Sequence, residues 1–227
     1  MKTLLFSFLT FLSLASYAQE NIVWDYPVKP GMKEWATFET GEQMVKACQI
    51  PLDVLNTIST KELVTICLKY PLFFNYMASN DERRSINNTI QKFNGLQELS
   101  QRKDGIRELI KAYADYPVQK DVNSKDYHSP FRLSFLELVL SDNVFLSKMD
   151  DSELEELRKI TVNKYVDKLQ NSDEYSLYNI KKTMLLTAVI MNKQNKTETQ
   201  DVINTFIKNY NRFDSNILTE MSKLIKE

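Results

Sequence analysis

The stretch Pro130–Leu140 reads PFRLSFLELVL, and its pattern decides the fold class. Wound as a helix, it places apolar side chains around nearly the whole circumference rather than along one stripe. A helix of this kind is buried on several sides by its neighbours. We therefore predict a helix from Pro130 to about Ser147, packed inside a larger helical assembly.

Further helix start signals follow this stretch along the chain. In each, a short polar side chain precedes an apolar periodic segment, where it can accept a hydrogen bond from the first helical turn. The starts are Asp150 with Glu153, Ser172 or Asp173, Thr197 with Gln200, and Asp214. Together with the first helix they predict four or five helices in a C-terminal half, residues 130–227.

The same signals occur in an N-terminal half, residues 39–118. Capping boxes start helices at Thr40 with Gln43 and at Ser59 with Glu62, and Pro51 opens a short helix between them. From Ile86 to Tyr113 the apolar residues keep a helical period, with a break predicted at Gly105.

The composition agrees with an all-α fold. The chain contains only 4 glycines and 6 prolines, too few for the many tight turns of a β-sandwich or barrel. The prolines of Tyr70-Pro71 and Tyr116-Pro117 each end a predicted helix at a spacing typical of HEAT-like helical pairs. An irregular multi-helix bundle and a short α-solenoid both remain open.

The first 18 residues have the features of a signal peptide. Lys2 precedes an apolar run that is interrupted by serine and threonine, and Ser16-Tyr17-Ala18 supplies a small-residue cleavage site. The next residue is Gln19 rather than the cysteine that a lipid anchor requires. We expect an exported, water-soluble mature protein in the periplasm or outside the cell, with no membrane anchor after cleavage.

Residues 19–38 are predicted to form an extended lead-in, because Pro27 and Pro30 disfavour helix. Trp24 and Trp35 are expected to anchor this lead-in on the helical body. A polar segment between the two halves is the best candidate for a loop, and we expect the halves to form one continuous domain.

The charge balance bears on the class of partner. The chain has 29 Lys+Arg and 30 Asp+Glu, so its net charge is −1, and it becomes −2 when Lys2 leaves with the signal peptide. This mixed surface offers no basic footprint for nucleic acid or anionic lipid. We expect the partner to be another protein or a component of the cell envelope.

Few residues suggest catalysis. The only histidine is His128, in the polar segment, which makes it a weak candidate for a catalytic base and leaves too few ligands for a usual zinc site. With 4 glycines no phosphate-binding loop or nucleotide fingerprint can be assembled, so no cofactor and no metal is expected. The acidic run that begins at Asp150 is interpreted as a helix start rather than a calcium site.

Two further sets of residues allow two interpretations each. Cys48 and Cys67 could form a disulfide in an oxidising compartment, or both could be small buried apolar residues. The aromatic residues Tyr70, Phe73, Phe74 and Tyr76 could line a groove for peptide or glycan, although aromatics at helical spacing more often belong to a core.

Several short segments of this chain resemble segments of a group of exported proteins of Bacteroidetes and related bacteria. These are WDYPVKPG at Trp24–Gly31, ACQIP at Ala47–Pro51, STKELV at Ser59–Val64 and CLKYPL at Cys67–Leu72. That family is uncharacterised. The resemblance therefore implies an exported helical domain and assigns no catalytic residue.

Two hypotheses on function follow. A helical protein of mixed charge without converging titratable groups is typical of a protein-protein interaction or binding module, and this is the leading hypothesis. The alternative is a periplasmic or secreted hydrolase that acts on peptide or glycan through carboxylates and His128. A deep polar pocket with shifted pKa values would favour the enzyme, whereas an open groove or patch would favour the binding module.

Overall fold

The computed structural model describes residues 24–118, 129–194, 199–212 and 214–226, and this part of the chain is all-α, as predicted. Its backbone contains no strand. Short 3₁₀ helices span Trp35–Thr37 and Phe73–Ala78. The α-helices are α1 (Gly41–Ala47), α2 (Leu52–Thr57), α3 (Thr60–Leu68), α4 (Glu82–Lys92), α5 (Asn94–Gln101), α6 (Gly105–Asp115), α7 (Ser129–Ser141), α8 (Asn143–Leu146), α9 (Asp151–Gln170), α10 (Leu177–Lys193), α11 (Gln200–Lys208) and α12 (Ser215–Lys226).

Three of the four predicted capping pairs are confirmed as capping boxes. They start α1 at Thr40, α3 at Ser59 and α9 at Asp150, and in each box the side chain three residues later bonds back to the cap backbone. At α9 the Asp150 carboxylate accepts from the Glu153 amide at 2.8 Å. These local bonds satisfy backbone N–H groups that a helix start otherwise leaves without partners.

Two predicted boundaries in the C-terminal half are wrong. The helix predicted to run to Ser147 breaks at Asp142, whose carboxylate accepts from the Val144 amide at 2.9 Å and so starts α8 as a separate turn. Ser172 and Asp173 do not open a helix, because they lie in the turn that ends α9, and α10 begins after Ser176.

The start of α11 is also displaced from its predicted position. Its N-terminal cap is Thr199, whereas Thr197 lies outside the described residues. The cap of α12 is as predicted, since the Asp214 carboxylate accepts from the Asn216 amide at 3.0 Å and from the Ile217 amide at 3.2 Å.

The helices form an irregular bundle around α10. This helix packs against α7, α9, α11 and α12, and α7 in turn packs against α4 and α6 of the N-terminal half. Buried apolar residues of both halves belong to one core. A solenoid brings only neighbouring repeats together, whereas here Tyr210, after α11, bonds to Glu82 at the start of α4.

The lead-in is fastened to the N-terminal half as predicted. Trp24 and Trp35 are partly buried and pack against the core. Between them Tyr26 is fully buried, and its hydroxyl donates to the Ile66 carbonyl oxygen at 3.0 Å.

The predicted signal peptide, residues 1–18, lies outside the described residues, as does most of the polar segment between the halves. Within the described ranges, none of the helices has both the length and the apolar character that a membrane crossing needs.

Candidate functional site

A polar cleft of about 530 Å³ opens where the N-terminal end of α4 faces α8, the C-terminal end of α10 and α11. Most of its lining side chains are amides or charged groups. The lining consists of Asp81, Arg83, Arg84, Asn87, Leu138, Ser141, Asp142, Asn143, Asn192, Asn204, Ile207, Lys208, Tyr210 and Asn211.

Asparagine is the characteristic residue of the cleft. Asn87 lies on α4, Asn143 begins α8, Asn192 is near the end of α10, Asn204 lies on α11, and Asn211 follows it. A carboxamide donates two hydrogen bonds and accepts through its oxygen, so it can pair with both the N–H and the C=O of a peptide group. The cleft therefore carries groups complementary to a polypeptide backbone.

Some of these amides are held in place by neighbours. Asn87 Nδ2 donates to Asp142 Oδ2 at 3.1 Å, and Gln200 Nε2 donates to Asn204 Oδ1 at 3.2 Å and also to Asn192 Oδ1. Asn143 is exposed, and its side chain makes no hydrogen bond to another described residue. The walls thus combine oriented amides with amides that a ligand can use.

The basic side chains of the cleft are Arg83, Arg84 and Lys208, all exposed. Arg83 Nη1 donates to the Ile207 carbonyl oxygen at 3.4 Å, which links α4 to α11. Arg84 of α4 and Lys208 of α11 both line the cleft. Their positive charges favour a ligand that carries a carboxylate.

The two carboxylates of the cleft are occupied with helix capping. Asp81 accepts from the Arg84 amide at 3.1 Å, and this backbone hydrogen bond, against a smaller effect of burial, lowers the pKa of Asp81. Asp142 caps α8 and also accepts from Asn87. A general acid needs a raised pKa, whereas the pKa of Asp81 is lowered.

A buried ion pair lies directly behind the cleft. Lys182 Nζ is 2.9 Å from Glu82 Oε1, and the hydroxyl of Tyr210 donates to Glu82 Oε2 at 2.8 Å. Burial lowers the pKa of Lys182 to about 8, although the nearby Glu82 carboxylate opposes this effect. Because Glu82, Lys182 and Tyr210 belong to three different parts of the chain, the group fixes the cleft walls relative to one another.

A second buried charge cluster joins α6, α7, α9 and α10 in the core. Lys168 Nζ lies 2.8 Å from both carboxylate oxygens of Glu137. Glu137 Oε1 also accepts from Tyr113 at 3.0 Å and from Thr183 at 2.8 Å. Burial is the main effect that lowers the pKa of Lys168, while Glu137 partly restores it. Both charges have zero side-chain exposure, so the cluster is structural and out of reach of a ligand.

The described residues singled out as site candidates from the sequence do not line the cleft. His128 lies outside the described residues. Cys48 and Cys67 are buried as free thiols beside the N-terminal core, and burial raises the pKa of the Cys48 thiol to about 12. Among the described residues, no group of three His, Cys, Asp or Glu side chains is arranged to hold a metal ion.

The aromatic cluster belongs largely to the core. Tyr70, Phe73 and Tyr76 are buried, and Phe74 is partly buried against them. The Tyr70 ring stacks on Phe93, with ring centroids 4.2 Å apart. Of the two interpretations left open by the sequence, core packing describes Tyr70, Phe73 and Tyr76, and the 3₁₀ helix Phe73–Ala78 buries the last two.

Sequence reasoning missed the cleft and both buried charge clusters. Glu137 and Lys182 were visible as charges inside or beside apolar runs, and a charge at such a position requires a partner when the helix is buried. The cleft has no comparable local signal, because its asparagines are spread from residue 87 to residue 211.

Comparison of the chain with protein-family models, with curated proteins and with solved structures found no match. The interpretation of the site therefore depends on its own geometry.

Proposed function

We propose that this protein is an exported, non-enzymatic binding module whose polar cleft binds an extended segment of another protein. The observation that carries the proposal is the cleft lined by Asn87, Asn143, Asn192, Asn204 and Asn211. Carboxamides can replace the water that hydrates a peptide backbone, and this recognition does not require one particular side-chain sequence.

The charges of the cleft support a peptide ligand with at least one carboxylate. Arg84 and Lys208 lie at the opening, whereas Asp81 and Asp142 are already neutralised in part by backbone N–H groups of α4 and α8. An acidic side chain or a C-terminal carboxylate would pair with the two cations. A glycan is less well matched, because Tyr210, the one aromatic ring among the described lining residues, is buried and offers no exposed stacking face.

Export is proposed on the basis of the sequence. The signal-peptide pattern of residues 1–18 and the resemblance of Trp24–Gly31 to exported proteins of Bacteroidetes both support it. Mass spectrometry of the exported material would test this part separately: a mature protein that begins at Gln19 is expected, and retention of Met1 would contradict it.

The binding function is tested by affinity capture from the cell envelope and the medium with the mature protein, followed by peptide scanning of whatever protein is captured. Arg84→Glu and Asn204→Ala should each abolish capture, because both side chains are exposed in the cleft and absent from the core. Arg107→Glu and Asn216→Ala are the matched controls, since both residues are exposed outside the cleft lining.

The affinity for the bound peptide is then measured by fluorescence anisotropy, and the peptide recovered from the complex is identified by mass spectrometry. We expect an intact extended peptide whose affinity falls by about tenfold or more with Arg84→Glu. Capture that survives both cleft variants would contradict the proposed site. Recovery of a cleaved peptide would support the hydrolase alternative instead.

A further inference from the structure

A second concave surface is apolar, and it shares no lining residue with the polar cleft. This apolar groove has a volume of about 500 Å³ and lies between the C-terminal part of α9, the first half of α10, and α12. Its aliphatic and methionine lining residues are Leu169, Leu177, Ile180, Met184 and Leu218. Nothing in the polar cleft depends on it, so the inference is independent of the proposed function.

Two apolar residues that line this groove are exposed, and a third exposed one lies nearby on α9. Leu177 is 47% exposed and Leu169 is 38% exposed, and Val166, one helical turn before Leu169, is also 38% exposed. Single exposed apolar residues are ordinary, but several that adjoin an apolar groove mark an interaction site. The free energy gained by removing such surface from water is about 25 cal/mol per Å².

The rim of the groove is basic. Lys223 and Lys226 of α12 line it, and no Asp or Glu occurs among its described lining residues. Lys223 forms an ion pair with Glu220 at 2.9 Å, but both side chains are more than half exposed, so this pair can be exchanged for another at little cost. The groove therefore presents an apolar floor beside two accessible positive charges.

We propose that this groove binds an amphipathic α-helix of a partner protein, with an apolar stripe in the groove and carboxylates beside the stripe. An apolar groove between helices accepts apolar side chains at the i, i+3, i+4 and i+7 positions of such a helix. Carboxylates next to the stripe would pair with Lys223 and Lys226. A second copy of this chain fits less well, because a symmetric dimer would bring two lysine rims together.

The proposal is tested with two synthetic helical peptides that share one leucine stripe and differ only in flanking charge, glutamate in one and lysine in the other. Binding to the mature protein is measured by fluorescence anisotropy. The glutamate peptide should bind about tenfold tighter, and added salt should reduce this preference. The double variant Lys223→Glu/Lys226→Glu should reverse the preference.

Leu169→Glu should weaken binding of the glutamate peptide by about tenfold or more, because it places a charge on the groove floor. Leu52→Glu is the matched control, since Leu52 is 73% exposed on α2, away from the groove, and should leave binding unchanged. Circular dichroism verifies that both variants remain folded.

Four results would overturn the proposal. The first two are equal binding of the two peptides and no binding of either peptide. The third is a concentration-dependent dimer that Leu169→Glu abolishes, and the fourth is binding to phosphatidylglycerol vesicles that Leu169→Glu abolishes while neither peptide binds. The third would assign the groove to a second copy of this chain. The fourth would assign it to an anionic membrane surface.

Discussion

At the scale of single residues, Glu137 is a position where we expect substitution to destabilise the fold. Its carboxylate holds Lys168 in a part of the core with no access to water. Glu137→Gln would leave that ammonium group buried without a counter-charge, and we expect a loss of about 3–5 kcal/mol in the free energy of unfolding. Urea denaturation followed by circular dichroism measures the loss.

The double variant Glu137→Gln/Lys168→Met is expected to recover part of this stability, because it removes both buried charges together. Glu220→Gln is the control, since it breaks an exposed ion pair and should change stability by less than about 0.5 kcal/mol. If Glu137→Gln were as mild as Glu220→Gln, the buried pair would not be formed in solution.

Buried tyrosines predict the behaviour of the protein in alkali. Burial raises the pKa of Tyr26, Tyr70, Tyr76, Tyr113, Tyr175 and Tyr210. Above a pH of about 10 the unfolded state loses these protons while the folded state keeps them, so stability falls as pH rises, by about 1.4 kcal/mol per pH unit for each tyrosine.

The buried lysines act in the opposite direction over a different range. The pKa of Lys182 is lowered to about 8 in the folded state, whereas an unfolded lysine has a pKa of about 10.4. Between these values the unfolded state keeps the proton and the folded state loses it, so the free energy of unfolding rises with pH there and no further above about pH 10.4. We therefore expect cooperative unfolding above about pH 10, at which tyrosinate absorbance rises together with loss of the helical signal. Tyr26→Phe should make the decline less steep. Tyrosines that ionise gradually in a protein that stays folded would contradict this expectation.

For Cys48 and Cys67 the sequence left two interpretations open, a disulfide or two buried thiols. Both are buried thiols in the structure, and burial raises the pKa of Cys48 to about 12. We expect a thiol reagent to label neither in the folded, unreduced protein and both after unfolding, because only the thiolate reacts. An unfolded, unreduced chain that still resists labelling would instead establish a disulfide.

At the scale of secondary-structure elements, the break between α5 and α6 depends on Gly105. A Cβ atom placed there would lie 2.0 Å from the Leu99 carbonyl oxygen, a backbone atom that cannot move aside alone. We expect Gly105→Ala to lower the free energy of unfolding by about 1–3 kcal/mol, measured by thermal or urea denaturation.

Gly41→Ala is the matched control for this substitution. Gly41 is the first residue of α1, and a Cβ atom there would meet no other atom within 4 Å. It should be neutral or stabilise the protein by up to about 1 kcal/mol. Equal effects of the two substitutions would show that the close approach to Leu99 is absent.

The elements also show which boundaries a sequence can predict. The starts at Thr40, Ser59 and Asp150 were predictable because each capping box is complete within four residues. The break at Asp142 was missed because apolar residues continue on both sides of it, so the sequence pattern resembles one uninterrupted helix. The hydrogen bond from the Val144 amide to the Asp142 carboxylate, which starts α8, is not visible in that pattern. The late start of α10 was missed because Ser172 and Asp173 resemble caps but serve the preceding turn.

At the scale of the whole molecule, the sequence predicts an all-α fold but not its packing. The helical period of the apolar residues and the low glycine content can both be taken directly from the sequence, and they argue against a β architecture. The cleft, in contrast, combines lining residues of α4, α7, α8, α10 and α11, and no local pattern shows that Glu82 pairs with Lys182 and Tyr210. Long-range pairing of this kind distinguishes the bundle from the solenoid, which the sequence left open.

The same pairing predicts how the molecule unfolds. Both tryptophans, Trp24 and Trp35, lie in the lead-in on the N-terminal half, so their fluorescence reports that half, whereas far-UV circular dichroism reports all helices. Because one core and two buried charge clusters join the halves, we expect the two signals to change at the same urea concentration. Glu82→Gln should shift both transitions to lower urea together, since it leaves Lys182 buried without its partner. Separate transitions, or a shift of the circular dichroism signal alone, would mean that the halves fold as independent domains and that the cleft between them can open.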